Sequence, residues 1–235
     1  MSEAEKEKGL LQFLRNLYGI LSVQLLVSLV AVMVTMSYPS VRTYVQQTPA
    51  LFYSALILTT VIWIGFTCFH GWSALVSNRT SGIMLGIFTL CQSYLLATSA
   101  SYYDSTIVLQ TVNMTTLIAT CLTVYAALTT SDVTRWRLFL FCLLLVFWFG
   151  LGCRLLFPTV PLMDTIWAAF ATFLFSAYLI FDTFFIIHTY PTTEYWTAAL
   201  MLYLDIVNIF LNALRLSVAF RGKQILKKED RTIVV

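Results

Sequence analysis

Seven apolar stretches, each long enough to cross a membrane as a helix, constrain the fold of this 235-residue chain most strongly. A helix needs about 20 predominantly apolar residues to cross the hydrocarbon core of a bilayer. The stretches cover residues 17–37, 50–69, 82–103, 106–128, 138–157, 162–187 and 195–219. Only 11% of the residues are charged, against about 25% in a soluble domain. The sequence therefore predicts an all-α membrane protein with a seven-transmembrane helical bundle.

The segments between these stretches are short, and none is large enough to form a separate domain. We therefore expect an amino tail at residues 1–16, a membrane domain at 17–219 and a basic carboxyl tail at 220–235. The amino tail lacks the pattern of a cleaved signal peptide, which predicts an uncleaved first helix. The five cysteines form no CxxC pair or Cys/His cluster. They indicate neither a disulfide framework nor a metal site.

The distribution of Lys and Arg predicts the orientation of the chain in the membrane. Without the carboxyl end, six of these residues lie on the side of the amino terminus and two on the opposite side. We therefore expect a cytosolic amino terminus. The carboxyl end carries six more, from Arg215 to Arg231. Seven full crossings would put them on the outer side, whereas a re-entrant last segment would return them to the cytosol, so the sequence leaves the side of this tail open.

Two aspartates lie inside the most apolar part of the chain, Asp182 in the sixth stretch and Asp205 in the seventh. A carboxylate near the bilayer centre costs roughly 2.5–3.5 kcal/mol on insertion scales, so it usually faces a partner, a cavity or an ion path. Asp182 should lie about 9 Å from the end of its helix, and Asp205 about 15 Å from the start of the next. Because the connection between them is short, we expect antiparallel neighbouring helices whose two carboxyl groups can meet.

Two carboxylates in contact cannot both ionise cheaply, so they share a proton and titrate as a pair. The protonated pair can hold the two helices together by a hydrogen bond. Loss of the proton makes the contact repulsive, or leaves oxygen ligands suited to a hard cation such as Ca²⁺. Asp182 and Asp205 are therefore predicted to sense pH in a cation path and to bind Ca²⁺ transiently. No cofactor is indicated, and the expected partners are Ca²⁺, protons and the lipid bilayer, not nucleic acid.

The seventh stretch carries one polar stripe on an otherwise apolar helix. Asp205, Asn208, Asn212 and Arg215 have helical spacing and fall within about 80° of arc. We predict that the last three line or support the path, although the asparagines fit interhelical hydrogen bonding equally well. The sixth stretch has a stripe of small and hydroxyl residues that includes Thr183, beside Asp182. Thr183 is therefore a further candidate for the lining of the path.

The two aspartates lie in the motifs AYLIFDTFFII at 177–187 and LYLDIVNIFLNALRL at 202–216. Through these motifs the chain resembles the transmembrane BAX inhibitor motif family, also called the lifeguard family, and within it the Golgi anti-apoptotic type, which viruses also carry. Further similar stretches are LRNLYGILSVQLL, SVRTYVQQTPAL and YYDSTIVLQ. The resemblance extends over about residues 14–220.

The resemblance implies a seven-helix fold with the last helix central. It also implies a pH-responsive Ca²⁺ leak channel of the endoplasmic reticulum, the Golgi or related membranes, which lowers stored Ca²⁺ and inhibits apoptosis. The family's paired aspartates correspond to Asp182 and Asp205. The Golgi type carries an acidic residue in the third helix where this chain has Gln92. Gln92 is therefore a further candidate for lining or supporting the path, and the missing charge puts selectivity or conductance in doubt. The oligomeric state stays open, with a monomeric pore as one option.

Other functions also use intramembrane acids. A proton-coupled transporter is the main alternative to a channel. An intramembrane aspartyl protease places one aspartate in each of two adjacent helices, and such a pair can perform acid–base chemistry. The Gly-rich and Pro-Ala-Leu motifs of those proteases are missing here, however, so we do not expect an enzyme. A retinal-type receptor would need a Lys in the seventh stretch, and this stretch has none.

Overall fold

The computed structural model describes residues 3–68, 77–130, 133–156, 160–191 and 193–233, and this part of the chain is helical without strands. A short 3₁₀ turn, Val133–Trp136, precedes the sixth helix. The helices are α1 (Glu3–Ser37), α2 (Pro39–Gln47), α3 (Pro49–Cys68), α4 (Asn78–Ala100), α5 (Ser105–Leu128), α6 (Arg137–Leu156), α7 (Pro161–His188) and α8 (Tyr195–Ile233). Helices suit this sequence because each one satisfies its own backbone polar groups, which lipid cannot do.

Seven of the helices in the described part of the chain, all except α2, are long and apolar enough to cross a membrane. This confirms the predicted all-α bundle of seven transmembrane helices. The last span is the most buried of the seven: 67% of its apolar window is buried, against 50% or less in each of the others. This burial agrees with the expectation that the last helix is central.

The connection between the first two spans contains the helix α2, which the sequence analysis did not predict. Pro39 begins this helix, a position where its fixed φ is favourable and its missing N–H costs nothing. The side chain of Val45 on this helix is buried. Arg42 Nε and Gln46 Nε2 donate hydrogen bonds to the carbonyl oxygen of Ser101, at 2.7 and 2.9 Å. These bonds attach α2 to the carboxyl end of α4.

The helices form two compact units. The first holds residues 1–102 and 185–204, and the second holds residues 103–184 and 205–235. The division between the units therefore falls within α7 and α8.

In the first unit, buried polar side chains join α1 to α4. Gln24 Nε2 donates to Thr89 Oγ1 at 3.0 Å, and the hydroxyl groups of Ser28 and Ser93 lie 2.9 Å apart. Because both pairs are 65 residues apart in sequence, α1 and α4 run parallel. The Tyr203 hydroxyl at the start of α8 lies 2.7 Å from the Ser28 hydroxyl and joins the same network.

In the second unit, α5 and the second half of α8 run antiparallel. Thr111 Oγ1 lies 3.4 Å from Ser217 Oγ, and Arg221 attracts the carboxylate of Asp104. Asp104 caps α5 by accepting the backbone N–H of Thr106 at 2.8 Å. This hydrogen bond holds the pKa of the Asp104 carboxyl below its ordinary value, and the nearby Arg221 guanidinium lowers it further.

The position of Arg221 bears on the question of a re-entrant last segment. The helix α8 continues without a break from Tyr195 to Ile233, and Arg221 lies beside Asp104, where α5 begins. A re-entrant segment would need a reversal of the chain inside the membrane. The unbroken helix therefore favours a single full crossing by α8. The side chains of the predicted basic tail after Arg221 lie outside the described residues.

Aromatic side chains join α6 to α7 in the second unit. The Phe147 and Trp167 rings stack with their centroids 5.5 Å apart and their planes 14° apart. Phe147 also meets Phe175 edge to face at 5.3 Å. The Trp167 ring lies over Gly150, where a Cβ atom would overlap it. The glycine therefore allows the two helices to approach closely at this point.

Candidate functional site

The carboxyl groups of Asp182 on α7 and Asp205 on α8 lie in hydrogen-bonding contact with each other in the second unit. Each side chain is only 7% exposed. Asp182 stands six residues before His188, and Asp205 stands ten residues after Tyr195, as the sequence analysis expected. The structure therefore brings together the two acids that the sequence placed in adjacent spans.

The contact between two acids is chemically incomplete without a proton. Asp205 Oδ2 is buried and finds no N–H or hydroxyl donor among the residues described. A buried acceptor without a donor costs roughly 1–3 kcal/mol, and a charged one more. A proton held between Asp182 and Asp205 supplies the missing donor. The geometry therefore couples the packing of α7 against α8 to the protonation state of the pair.

The polar stripe of α8 continues away from the pair toward the end of the span. Asn212 is buried, and its Nδ2 donates to the carbonyl oxygen of Asn208 one turn earlier at 2.8 Å. Asn208 is half-buried, whereas Arg215 is exposed. The stripe thus changes from a buried carboxyl at Asp205 to an exposed guanidinium about 15 Å further along the helix. Its amide and carboxyl oxygens are of the kind that attract hard cations.

The sequence analysis named two further candidates, Thr183 and Gln92. Thr183 on α7 is fully buried, and its hydroxyl has no hydrogen-bond partner within the described ranges. It follows Asp182 directly and belongs to the second unit. Gln92 lies in α4, in the first unit, and is half-buried.

Tyr178 is a neighbour of the acid pair that the sequence analysis missed. It lies one helical turn before Asp182, at the i, i+4 spacing that places two side chains on one face. Both Asp182 and Asp205 act electrostatically on its phenol. Its hydroxyl donates to the carbonyl oxygen of Leu140 on α6 at 3.0 Å. The spacing alone could have identified Tyr178, but not the bond to α6.

The acid pair by itself offers few ligands for a cation. In the part of the chain that the structure describes, no group of three or more His, Cys, Asp or Glu side chains comes together. Ca²⁺ takes six to eight oxygen ligands in its stable sites. Two carboxylates supply only part of that set.

Comparisons with known proteins agree over nearly the whole membrane domain. A family model described as "Inhibitor of apoptosis-promoting Bax1" matches residues 10–223. The chain is 30% identical over 211 residues to "Protein lifeguard 4" of Mus musculus, covering 90% of this chain and 86% of that protein. It is also 30% identical over 204 residues to "Golgi anti-apoptotic protein" of vaccinia virus strain Lister, covering 87% and 84%. "Bax inhibitor 1" of Schizosaccharomyces pombe is 29% identical over 207 residues, covering 87% and 75%.

Proposed function

The chain belongs to the family of inhibitors of apoptosis-promoting Bax1, and we propose that it acts as a pH-responsive, Ca²⁺-permeable leak channel of intracellular membranes. The observation that carries this proposal is the buried contact between Asp182 and Asp205 inside two membrane-spanning helices. A relative is named as a Golgi anti-apoptotic protein. That name supports a role as an inhibitor of apoptosis in the Golgi or a related membrane such as the endoplasmic reticulum. The distribution of Lys and Arg supports an amino terminus in the cytosol.

The proposed mechanism starts from the shared proton. While Asp182 and Asp205 share it, the hydrogen bond between them holds α7 against α8 and the path is closed. Loss of the proton on a rise in pH leaves two negative charges in contact at low dielectric, where they repel strongly. The helices then separate locally, and the two carboxylates face the path as oxygen ligands for a divalent cation.

The residues beyond the pair support this path. Asn208 and Asn212 extend the polar stripe along α8, so a partly dehydrated ion leaving the carboxylates meets further oxygen atoms. Exposed Arg215 marks the end of the stripe, where its charge would discourage cations from lingering. Thr183 brings a hydroxyl group without a described partner next to Asp182. These roles are the ones we propose for the lining of the path.

Stored Ca²⁺ in living cells tests the proposal. Cells would express the wild type, Asp182→Asn or Asp205→Asn, with Asp164→Asn as a matched control that changes an acid at the other end of α7. We expect the wild type and the control to lower the store reported by a lumenal Ca²⁺ indicator. Cells that express Asp182→Asn or Asp205→Asn should keep the same Ca²⁺ store as cells without the protein. Equal stores in all cells, at matched expression, would remove the leak hypothesis, and saturable, substrate-dependent flux would favour a proton-coupled transporter.

A further inference from the structure

The phenol of Tyr178 connects the acid pair to a third helix of the second unit, α6. Its hydroxyl donates to the carbonyl oxygen of Leu140 at 3.0 Å. Tyr178 stands one turn before Asp182, and because side chains lean toward the start of their helix, Asp182 leans toward Tyr178. The charges of Asp182 and Asp205 both act on the phenol. One hydroxyl is therefore influenced by a carbonyl oxygen on α6 and by two carboxyl groups.

The phenol has a single proton to donate, so it serves one acceptor at a time. While Asp182 and Asp205 share a proton, they bond to each other, and the carbonyl oxygen of Leu140 receives the bond from the phenol. Ionised carboxylates can only accept, and Asp205 Oδ2 already lacks a donor among the residues described. Hydrogen bonds to an ionised acceptor are roughly twice as strong as those between neutral groups. The ionised pair therefore competes successfully for the phenol.

The carbonyl oxygen of Leu140 loses little when the phenol turns away. Leu140 lies inside the regular helix α6, so its carbonyl oxygen also accepts the backbone N–H of Leu144, four residues later. A buried backbone acceptor must keep at least one partner, and this one does. The exchange of the phenol between acceptors thus leaves no backbone group of α6 without a hydrogen bond.

The helix α6 is held more loosely than the other spans. Only 6% of the apolar window of its span is buried, the smallest share among the seven. Within residues 137–152, whose side chains are described, Leu140 is the only buried one. The ring contacts of Phe147 with α7 lie seven residues further on, or about 10 Å along the helix. The bond at Leu140 and the rings at Phe147 are separate attachments, and loss of the first leaves the second in place.

The charges that face Tyr178 are those of the acid pair. Among the described residues, Asp182 and Asp205 act on the phenol and on each other. The remaining charged or titratable side chains on the neighbouring parts of α6, α7 and α8, and on the turn before α6, are exposed, namely Arg135, Arg137, Cys142, His188 and Arg215. A change of pH therefore reaches the phenol through the acid pair.

We infer that Tyr178 is the positioning residue through which the acid pair controls α6. While Asp182 and Asp205 share their proton, the phenol holds the start of α6 at Leu140. When that proton leaves, the phenol keeps its own and turns its hydrogen bond to a carboxylate, so the start of α6 is released and pivots at Phe147. The inference rests on the proposed function, because it takes proton loss as the event that opens the path.

The pH profile of Ca²⁺ flux in proteoliposomes tests the role of the phenol. Tyr178→Phe removes one oxygen atom and keeps the ring, so packing is preserved. The bond lost from the ionised pair is stronger than the one lost from Leu140, so the midpoint of flux should move up by about 0.5–1 pH unit. A bond that only supported packing would leave the midpoint unchanged. Tyr125→Phe, at an exposed tyrosine on α5 of the same unit, should keep the wild-type profile.

The movement of α6 can be measured separately by electron spin resonance. Spin labels would be placed on Cys142 and on Phe173→Cys, which are exposed on α6 and α7, with the other four cysteines changed to alanine. In the wild type we expect the distance between the labels to increase as the pH rises. In Tyr178→Phe the start of α6 is free at every pH, so the distance should no longer depend on pH. Asp205→Asn should keep the short distance throughout.

The two measurements distinguish failure of this inference from failure of the proposed channel. A wild type without Ca²⁺ flux would remove the channel, whereas movement of α6 that requires both Tyr178 and Asp205 would still support the control of α6. Wild-type flux whose midpoint is unchanged in Tyr178→Phe would overturn the inference. A distance between the labels that stays constant with pH in the wild type would overturn it as well.

Discussion

Replacing Gly150 by alanine tests the close contact between α6 and α7. The added Cβ atom would overlap the Trp167 ring. This ring cannot simply swing away, because it is stacked on Phe147 with centroids 5.5 Å apart. Either α6 and α7 separate or the aromatic stack breaks.

The cost can be estimated from these contacts. Overpacking a well-packed site costs about 1–3 kcal/mol, and loss of an aromatic pair about 0.5–1.5 kcal/mol. Alanine regains about 0.5–1 kcal/mol over glycine within a helix. The net loss for Gly150→Ala is then about 2 kcal/mol. Gly152 lies two residues later, about 200° round the same helix, and a Cβ atom there would meet nothing within 4 Å. Gly152→Ala therefore keeps only the gain of about 0.5–1 kcal/mol.

Equilibrium unfolding of the detergent-solubilised full chain by sodium dodecyl sulfate, followed by circular dichroism, measures both variants. We expect the free energy of unfolding to fall for Gly150→Ala and to stay equal or rise for Gly152→Ala. The two values should differ by about 3 kcal/mol. Equal values for the two alanine variants would refute the reasoning, because they would show that Trp167 does not constrain Gly150.

Three other predictions concern hydrogen bonds at defined places. Tyr203→Phe removes the hydroxyl that lies 2.7 Å from the Ser28 hydroxyl and should cost about 0.6 kcal/mol in the same unfolding assay; no change would show that this bond contributes nothing. Arg42→Gln removes a donor to the Ser101 carbonyl oxygen and should speed hydrogen exchange throughout α2 but not in α5. The pKa of Asp104 is lowered in the native state, so its cap on α5 should stabilise that state fully above the ordinary pKa of about 3.9. This stabilisation should be lost as the pH falls through the lowered, native pKa. Hydrogen exchange in the first turn of α5 that is already fast at neutral pH would contradict this.

The sequence predicts the spans well and the position of the acid pair with them. Long apolar stretches leave helices as the only backbone arrangement that lipid tolerates. The short connection between α7 and α8 then makes them neighbours, and helical rise puts Asp182 and Asp205 about 9 and 15 Å from that connection, close enough for their side chains to meet. Local periodicity and one short loop are enough for this part of the site.

The sequence does not predict contacts that depend on which spans pack together. The helix α2 escaped prediction because it is only nine residues long and is tied to a distant residue, Ser101, 59 residues after Arg42. The parallel alignment of α1 with α4 depends on tertiary packing in the same way, since it is held by the buried bond from Gln24 to Thr89 and the contact of Ser28 with Ser93. The hydrogen bond from Tyr178 to α6 is a third example, since nothing local marks Leu140 as its acceptor.

Passive Ca²⁺ flux through the purified chain tests the proposed leak and its acid pair most directly. Proteoliposomes that enclose a Ca²⁺ indicator would hold the wild type or Asp205→Asn, in acidic and in mildly alkaline buffer. In the proposed mechanism proton loss from the acid pair opens the path, so wild-type flux should rise as the pH is raised. In the Asn variant, which cannot ionise at this position, flux should be low and independent of pH. Wild-type flux no greater than that of protein-free liposomes, or flux with the same pH dependence in both proteins, would contradict the proposal.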